Sequence, residues 1–217
     1  MPATTDWDVE VTKDTGPMAT FETPPAGNHR ATVVGLVDIG HHKVDKDDGT
    51  TYDQRQIVVV YELSKTDTKG NPFVMGQKFN RSMRDNSNFY AMVCNLTGTK
   101  YQEGQKFDPR CLVGKPCMVQ VLHTAGKSKK GKDVTYANIG SVSQFPDDLP
   151  APVPTYKPLV WSVGGGEPIP SEKWLPVIYG KTVDGLIRES VEFGKGGISA
   201  ATETAEVEPI DDDAVPF

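Results

Sequence analysis

Apolar side chains are scarce in this sequence. They make up 37% of its 217 residues, below the roughly 45–50% of compact domains, a range that counts glycine as well. No apolar run approaches the ~18 residues that a membrane-spanning helix needs, and no charged-then-apolar leader opens the chain. The expected setting is therefore soluble and cytoplasmic. Cysteine is scarce too. Cys94, Cys111 and Cys117 are odd in number and form no CxxC pair, which reads as reduced thiols inside a cell rather than a disulfide framework. The histidines, His29, His41, His42 and His123, supply no ligand pair at zinc spacing, so neither a metal nor a cofactor is expected. What is plentiful is backbone punctuation, with 21 Gly and 17 Pro. A core built from only part of the chain follows, and about 110–130 ordered residues suffice for one.

The net charge of −6 is not spread evenly. Residues 198–217 hold six acids (Glu203, Glu206, Glu208, Asp211, Asp212, Asp213) and no Lys or Arg. Subtracting those six from the 29 Asp and Glu leaves 23 acids against 23 Lys and Arg. The body is neutral, and a neutral body can still carry a basic groove.

Four segments can be separated. Residues 1–28, with Gly16-Pro17 and Pro24-Pro25-Ala26-Gly27, read as an extended arm. Residues 29–145 hold five strand patterns and one helix. The strands are predicted at 30–39, 51–63, 73–83, 116–123 and 134–142, from β-branched and aromatic enrichment bounded by turn signals such as Asp48-Gly49. Gly35 inside the first suggests a bend or bulge. Phe89, Met92, Val93 and Leu96 recur at helical spacing, with Asp85, Asn86 or Ser87 before them as cap and Gly98 after them as stop, so a helix is predicted over 87–96. Residues 146–170 contain seven prolines and Gly164-Gly165-Gly166, the composition of a linker or a strap laid over the core. A short helix near 182–192 follows, its Val183, Leu186, Ile187 and Val191 able to dock. The strap and docked helix together span 146–193, and 194–217 reads as a disordered acidic tail.

Three strands, a helix and two strands is the layout of the OB-fold, a small five-stranded, partly open barrel whose central strands and two loops bind oligonucleotides. The expected class is therefore mainly β, an OB-fold barrel with appendages.

Within that layout the basic loop stands out. Lys127, Lys129, Lys130 and Lys132 fall between the fourth and fifth strands, where phosphates would meet them without sequence preference. Elsewhere the same cluster would be a solvated hairpin tip. Along 51–63 one face carries Asp53, Arg55, Ile57, Val59, Tyr61 and Leu63 and reads as core. The other carries Tyr52, Gln54, Gln56, Val58, Val60 and Glu62 and reads as a partly polar outer face. Tyr52 and Phe79, flanked by Arg55, Lys78 and Arg81, give the mixture of rings and cations that single-strand binders use. Each ring has two readings, base stacking or core filling, and so does Tyr136 beside the loop.

The chain closes Pro209-Ile210-Asp211-Asp212-Asp213-Ala214-Val215-Pro216-Phe217. Phe217 can fill an apolar pocket, its carboxylate can meet Arg or Lys, and the aspartates can steer approach. This ending resembles the acidic C-terminal tip of bacterial-type single-stranded DNA-binding proteins, an acidic run, a short apolar spacer and Pro-Phe. Gly114 to Val142 is similar to the last two strands of bacteriophage-encoded OB-fold DNA-binding proteins. The resemblance implies sequence-tolerant binding of single strands in phage replication, recombination or repair, within the host cytoplasm. It also implies recruitment of partner proteins through Asp211, Asp212, Asp213, Val215, Pro216 and Phe217, and a tail that competes with DNA for the basic groove. The Pro-rich strap and the segment around Trp161 and Trp174 depart from the bacterial pattern, which leaves a homo-oligomer open and the tetramer in question.

Other classes fit less well. Gly164-Gly165-Gly166 lacks the Lys-Ser/Thr of a phosphate loop, no nucleophile–base pair can be proposed from spacing, and the acids of 203–213 lack the Gly-turned loop of a calcium site, so no enzyme is expected. The rival reading is an adaptor whose barrel binds protein and whose tail is a docking peptide or DNA mimic. It needs an apolar patch free of cations, whereas DNA binding needs exposed rings beside lysines. An RNA-binding, cold-shock-like module also fits the composition.

Overall fold

The computed structural model describes residues 22–45, 49–127 and 133–193. Among the described residues eight strands, β1 (Gly27–Asp45), β2 (Thr51–Thr66), β3 (Pro72–Asn80), β4 (Pro116–Lys127), β5 (Asp133–Gln144), β6 (Leu159–Ser162), β7 (Val177–Ile178) and β8 (Lys181–Thr182), accompany helices α1 (Asn88–Thr97) and α2 (Val183–Arg188) and a 3₁₀ turn at Pro109–Leu112. The protein is mainly β. Helix α1 lies between β3 and β4, capped by Ser87, whose Oγ accepts from the Tyr90 N–H at 3.1 Å, and ended by Gly98 in the left-handed region.

The antiparallel order is β3-β2-β1-β4-β5, with β6 added in parallel to β1. The long β1 makes this possible. Its Gly27–Thr32 stretch pairs with β4, its Ala31–Asp45 stretch pairs with β2, and Gly35–Asp38 takes β6. Register shifts at Val33/Gly35 and Asp38/Gly40 bend the strand between those partners, as bulges do.

The barrel expected from the strand count is not closed. β3 and β5 are the two ends of the sheet and do not pair. Helix α1 packs against both of them, and its Phe89, Met92, Val93 and Leu96 join Val33, Ile57, Val59, Tyr61, Met75 and Val119 in one core. The open side is thus filled by a helix rather than by strand pairing.

The opposite face of β1–β2–β3 is also buried, and here the outer face of β2 proves more apolar than its alternation suggested. Val34, Val37, Ile39, Val58 and Val60 pack under Trp161, Ile178, Val183, Leu186 and Ile187 from the C-terminal segment. At Gly76 a side chain would collide with that layer, since a Cβ there would lie 2.7 Å from Pro176 Cγ. The proline-rich stretch is tied down by polar contacts as well. The buried Glu62 carboxylate accepts from the Thr155 and Tyr156 N–H groups at 2.6 and 2.9 Å, and Tyr156 stacks on Trp174 with ring centroids 5.1 Å apart. Among the described residues no helix is long and apolar enough to cross a membrane.

α2 is shorter than expected. Val183, Leu186 and Ile187 are buried as predicted, whereas Val191 is exposed. Beyond Arg188 the chain turns, so that the Val191 N–H donates to the His41 carbonyl at 2.8 Å and Glu192 grips His41. Burial would raise the Glu192 carboxyl, but hydrogen bonds from the His41 ring and backbone N–H hold it at about 2, against an ordinary value of 4.5. A depressed carboxylate stabilises the fold above its unfolded value and loses that contribution as pH falls through the folded one. Glu192→Gln is therefore expected to lower stability at neutral pH by roughly 0.5–1 kcal/mol, because both partners are partly exposed and solvent screens the pair. The deficit should shrink between pH 4.5 and about 2, read by comparing thermal midpoints of the two proteins across that range.

Candidate nucleic-acid interface

Beyond Val121 the β4–β5 pair continues as a two-stranded ribbon with one open face, Ala137 opposite His123 still packing against the core. Cys117, Val119 and Val121 are buried, while the residues from Leu122 to Ala125 are all exposed. Cross-strand partners share a face, so the pairs Leu122↔Asn138 and Thr124↔Tyr136 place these four side chains on one open surface. Tyr136 is 48% exposed. Its ring lies over Gly126, where a Cβ would approach Cε2 to 2.9 Å, and Leu122 lies likewise over Gly140. The Tyr136 hydroxyl donates to the Lys127 carbonyl at 3.3 Å, and Asn138 Nδ2 donates to Thr124 Oγ1 at 3.2 Å. The surface offers a ring, an aliphatic side chain, an amide and a hydroxyl. Lys127 is exposed at its end; Lys129, Lys130 and Lys132 lie outside the described residues.

The ring-and-cation group read from β2 and β3 divides between two faces, as period-two alternation requires. Phe79 is in the core, 5% exposed and tilted against Phe89 with centroids 5.7 Å apart. Arg55 and Arg81 lie on that same side and converge on Asp38. Arg55 Nη2 is 2.6 Å and Arg81 Nη1 3.2 Å from Asp38 Oδ2, and the Asp38 carboxylate is buried while both guanidiniums remain partly exposed. The hydrogen bond that Arg55 donates to Asp38 raises the Arg55 guanidinium above its ordinary value. One carboxylate between two guanidiniums leaves a positive excess at this end of a cleft of about 670 Å³, whose other walls include Phe107, Arg110, Trp161 and Glu167. Arg110 is itself paired with Asp108 at 2.7 Å. Sequence reasoning passed over Asp38, although a lone acid within the apolar run RATVVGLVDI was the available signal.

Tyr52 and Lys78 belong to the opposite face of the sheet. Lys78 is half-buried, and its ammonium lies 5.9 Å from the centroid of the Tyr179 ring. Burial lowers its pKa from the ordinary lysine value, and the charge of Lys181 adds to the lowering. Tyr179 and Lys181 were not singled out from sequence.

Among the described residues no group of three His, Cys, Asp or Glu side chains could hold a metal ion. Burial pushes the Cys117 thiol up to about 12, so it is protonated at neutral pH and a poor nucleophile. Asp211, Asp212, Asp213, Val215, Pro216 and Phe217 lie outside the described residues. No protein-family model matches the chain, and no curated protein matches it.

Proposed function

We propose that this protein binds single-stranded DNA on an OB-type sheet left open at one side. The observation that carries the reading is the β4–β5 ribbon. It carries an exposed ring, Tyr136, whose hydroxyl donates to the Lys127 carbonyl at the end of β4, and Lys129, Lys130 and Lys132 follow in the sequence that joins the two strands. Rings stack on bases at roughly 1–3 kcal/mol each while cations follow the phosphates. The strand order around α1 supports the same reading, because the loop between the last two strands is one of the ligand-gripping loops of such folds. Exposed aromatic residues accompanied by lysines favour DNA over an adaptor surface, which would keep its apolar patch clear of cations. The acidic segment 203–213 and the Ala214-Val215-Pro216-Phe217 sequence after it would recruit replication, recombination or repair proteins.

The test is competition. A labelled oligo(dT) bound to the protein is challenged with unlabelled single-stranded DNA, with the same sequence as a duplex and with single-stranded RNA. Displacement by the DNA single strand at concentrations at least tenfold below the duplex is the expected result. Equal displacement by duplex would exclude base stacking as the source of affinity, and preferential displacement by RNA would transfer the reading to an RNA-binding module.

A further inference from the structure

The β2–β3 face of an OB-type sheet is where ligand would be expected, yet most of it here is roofed over. Val58, Val60 and Gly76 lie beneath Pro176 and Ile178. The roof leaves only the β3 edge open past the β7–β8 hairpin, where Lys78 is partly and Asn80 fully exposed, while their β2 partners Val58 and Gln56 are buried. The hairpin closes through the pair Ile178↔Lys181, so Tyr179 and Gly180 form a two-residue turn with φ of 51° and 77°. Such turns want Asn-Gly or Gly-Gly. A tyrosine at the first position is strained, at a cost on the order of 1–3 kcal/mol, and folding gains little from its ring, which is 81% exposed. The described contact of that ring is with the Lys78 ammonium beneath it. Lys181 follows two residues later, paired to Glu189 Oε2 at 2.6 Å. Both partners are about half exposed, so the pair contributes little and a phosphate can displace the carboxylate. Glu192, the next acid along the chain, is engaged by His41.

We infer that Tyr179 is a base-stacking residue, with Lys78 and Lys181 receiving the adjoining phosphates, at the β3 edge that the C-terminal layer leaves open. This rests on the single-strand-binding reading. Lys78 holds one side of the ring and leaves the outer side for a base. The hairpin thus contributes to binding a feature that costs the fold stability, which explains why a bulky side chain stands where glycine would be relaxed.

Tyr179→Gly separates the two roles, since it removes the ring and relieves the strain together. In oligo(dT) anisotropy titrations Tyr179→Gly is expected to weaken binding about five- to a hundredfold, while its thermal midpoint stays level or rises by about 2–4 °C. Tyr179→Phe and Tyr179→Trp should bind within about twofold of the wild type, since stacking tolerates any aromatic ring. Wild-type affinity in Tyr179→Gly would overturn the inference and leave the DNA-binding reading intact. A fall in midpoint together with equal losses in all three variants would also overturn it, by showing that the residue serves the hairpin. Failure of the wild type itself to bind would remove both.

Discussion

Replacing Lys127, Lys129, Lys130 and Lys132 with glutamate is expected to reduce affinity for single-stranded DNA by at least about a hundredfold at low salt, with no change in thermal midpoint. The two parts follow from one position. Lys127 is exposed at the end of a strand whose residues from Leu122 to Ala125 are exposed too, so its substitution disturbs no packing. Each lost phosphate contact removes a released counterion, and for single strands the log–log salt slope falls by about 0.7 per contact. Removing four contacts should therefore flatten the slope by about 3. Anisotropy titrations of oligo(dT) over a series of salt concentrations read both quantities. An unchanged affinity and slope would take the loop out of the interface.

Trp161→Ala should have the largest effect on stability. Trp161 is 5% exposed, sits opposite Val37 in the parallel β1–β6 pairing, and donates its indole N–H toward the Glu167 carbonyl at 3.4 Å. Truncating a buried aromatic of this size costs about 3–5 kcal/mol, equivalent to a midpoint drop of about 6–20 °C in a chain of this length. Because the indole joins the sheet to the C-terminal layer, limited proteolysis of the variant should begin within residues 146–176, ahead of the sheet. A midpoint within a degree or two of wild type would mean that this layer contributes little to the fold.

The sequence was most legible where local pattern and tertiary environment agree. Helix α1 was expected over 87–96 and runs Asn88–Thr97, because Ser87, Gly98 and the apolar stripe between them all specify the same element. The five principal strands were located for the same reason, although β1 and β4 are longer than their apolar stretches, since their ends are half-buried or exposed and carry little apolar alternation. Side-chain destinations were harder. The unbroken Ile57–Tyr61 run is what a strand buried on both faces looks like, but which segment covers the second face is a tertiary fact. That segment includes β6, formed within a proline-rich stretch. Its four residues, Leu159–Ser162, sit between Pro158 and the glycine run and hydrogen-bond to an edge of β1 that no local signal reveals. Phe79 and Tyr52 looked equivalent as rings beside cations. Strand parity relative to α1 sends the first into the core and the second to the opposite face. Tyr179 carried a faint signal of its own, a Tyr-Gly pair between two short β-prone stretches, which acquires meaning only once the turn's positive φ and the neighbouring Lys78 are seen together.

The most direct test of single-strand binding is anisotropy of a labelled oligo(dT) titrated with the full chain and with a version ending at Gly197. Tight, salt-sensitive binding by the full chain, strengthened several-fold when the acidic tail is removed, is the predicted result, because six carboxylates that compete for the basic surface are then gone. Absence of binding by both versions at low salt would contradict the central claim and return the adaptor reading to first place.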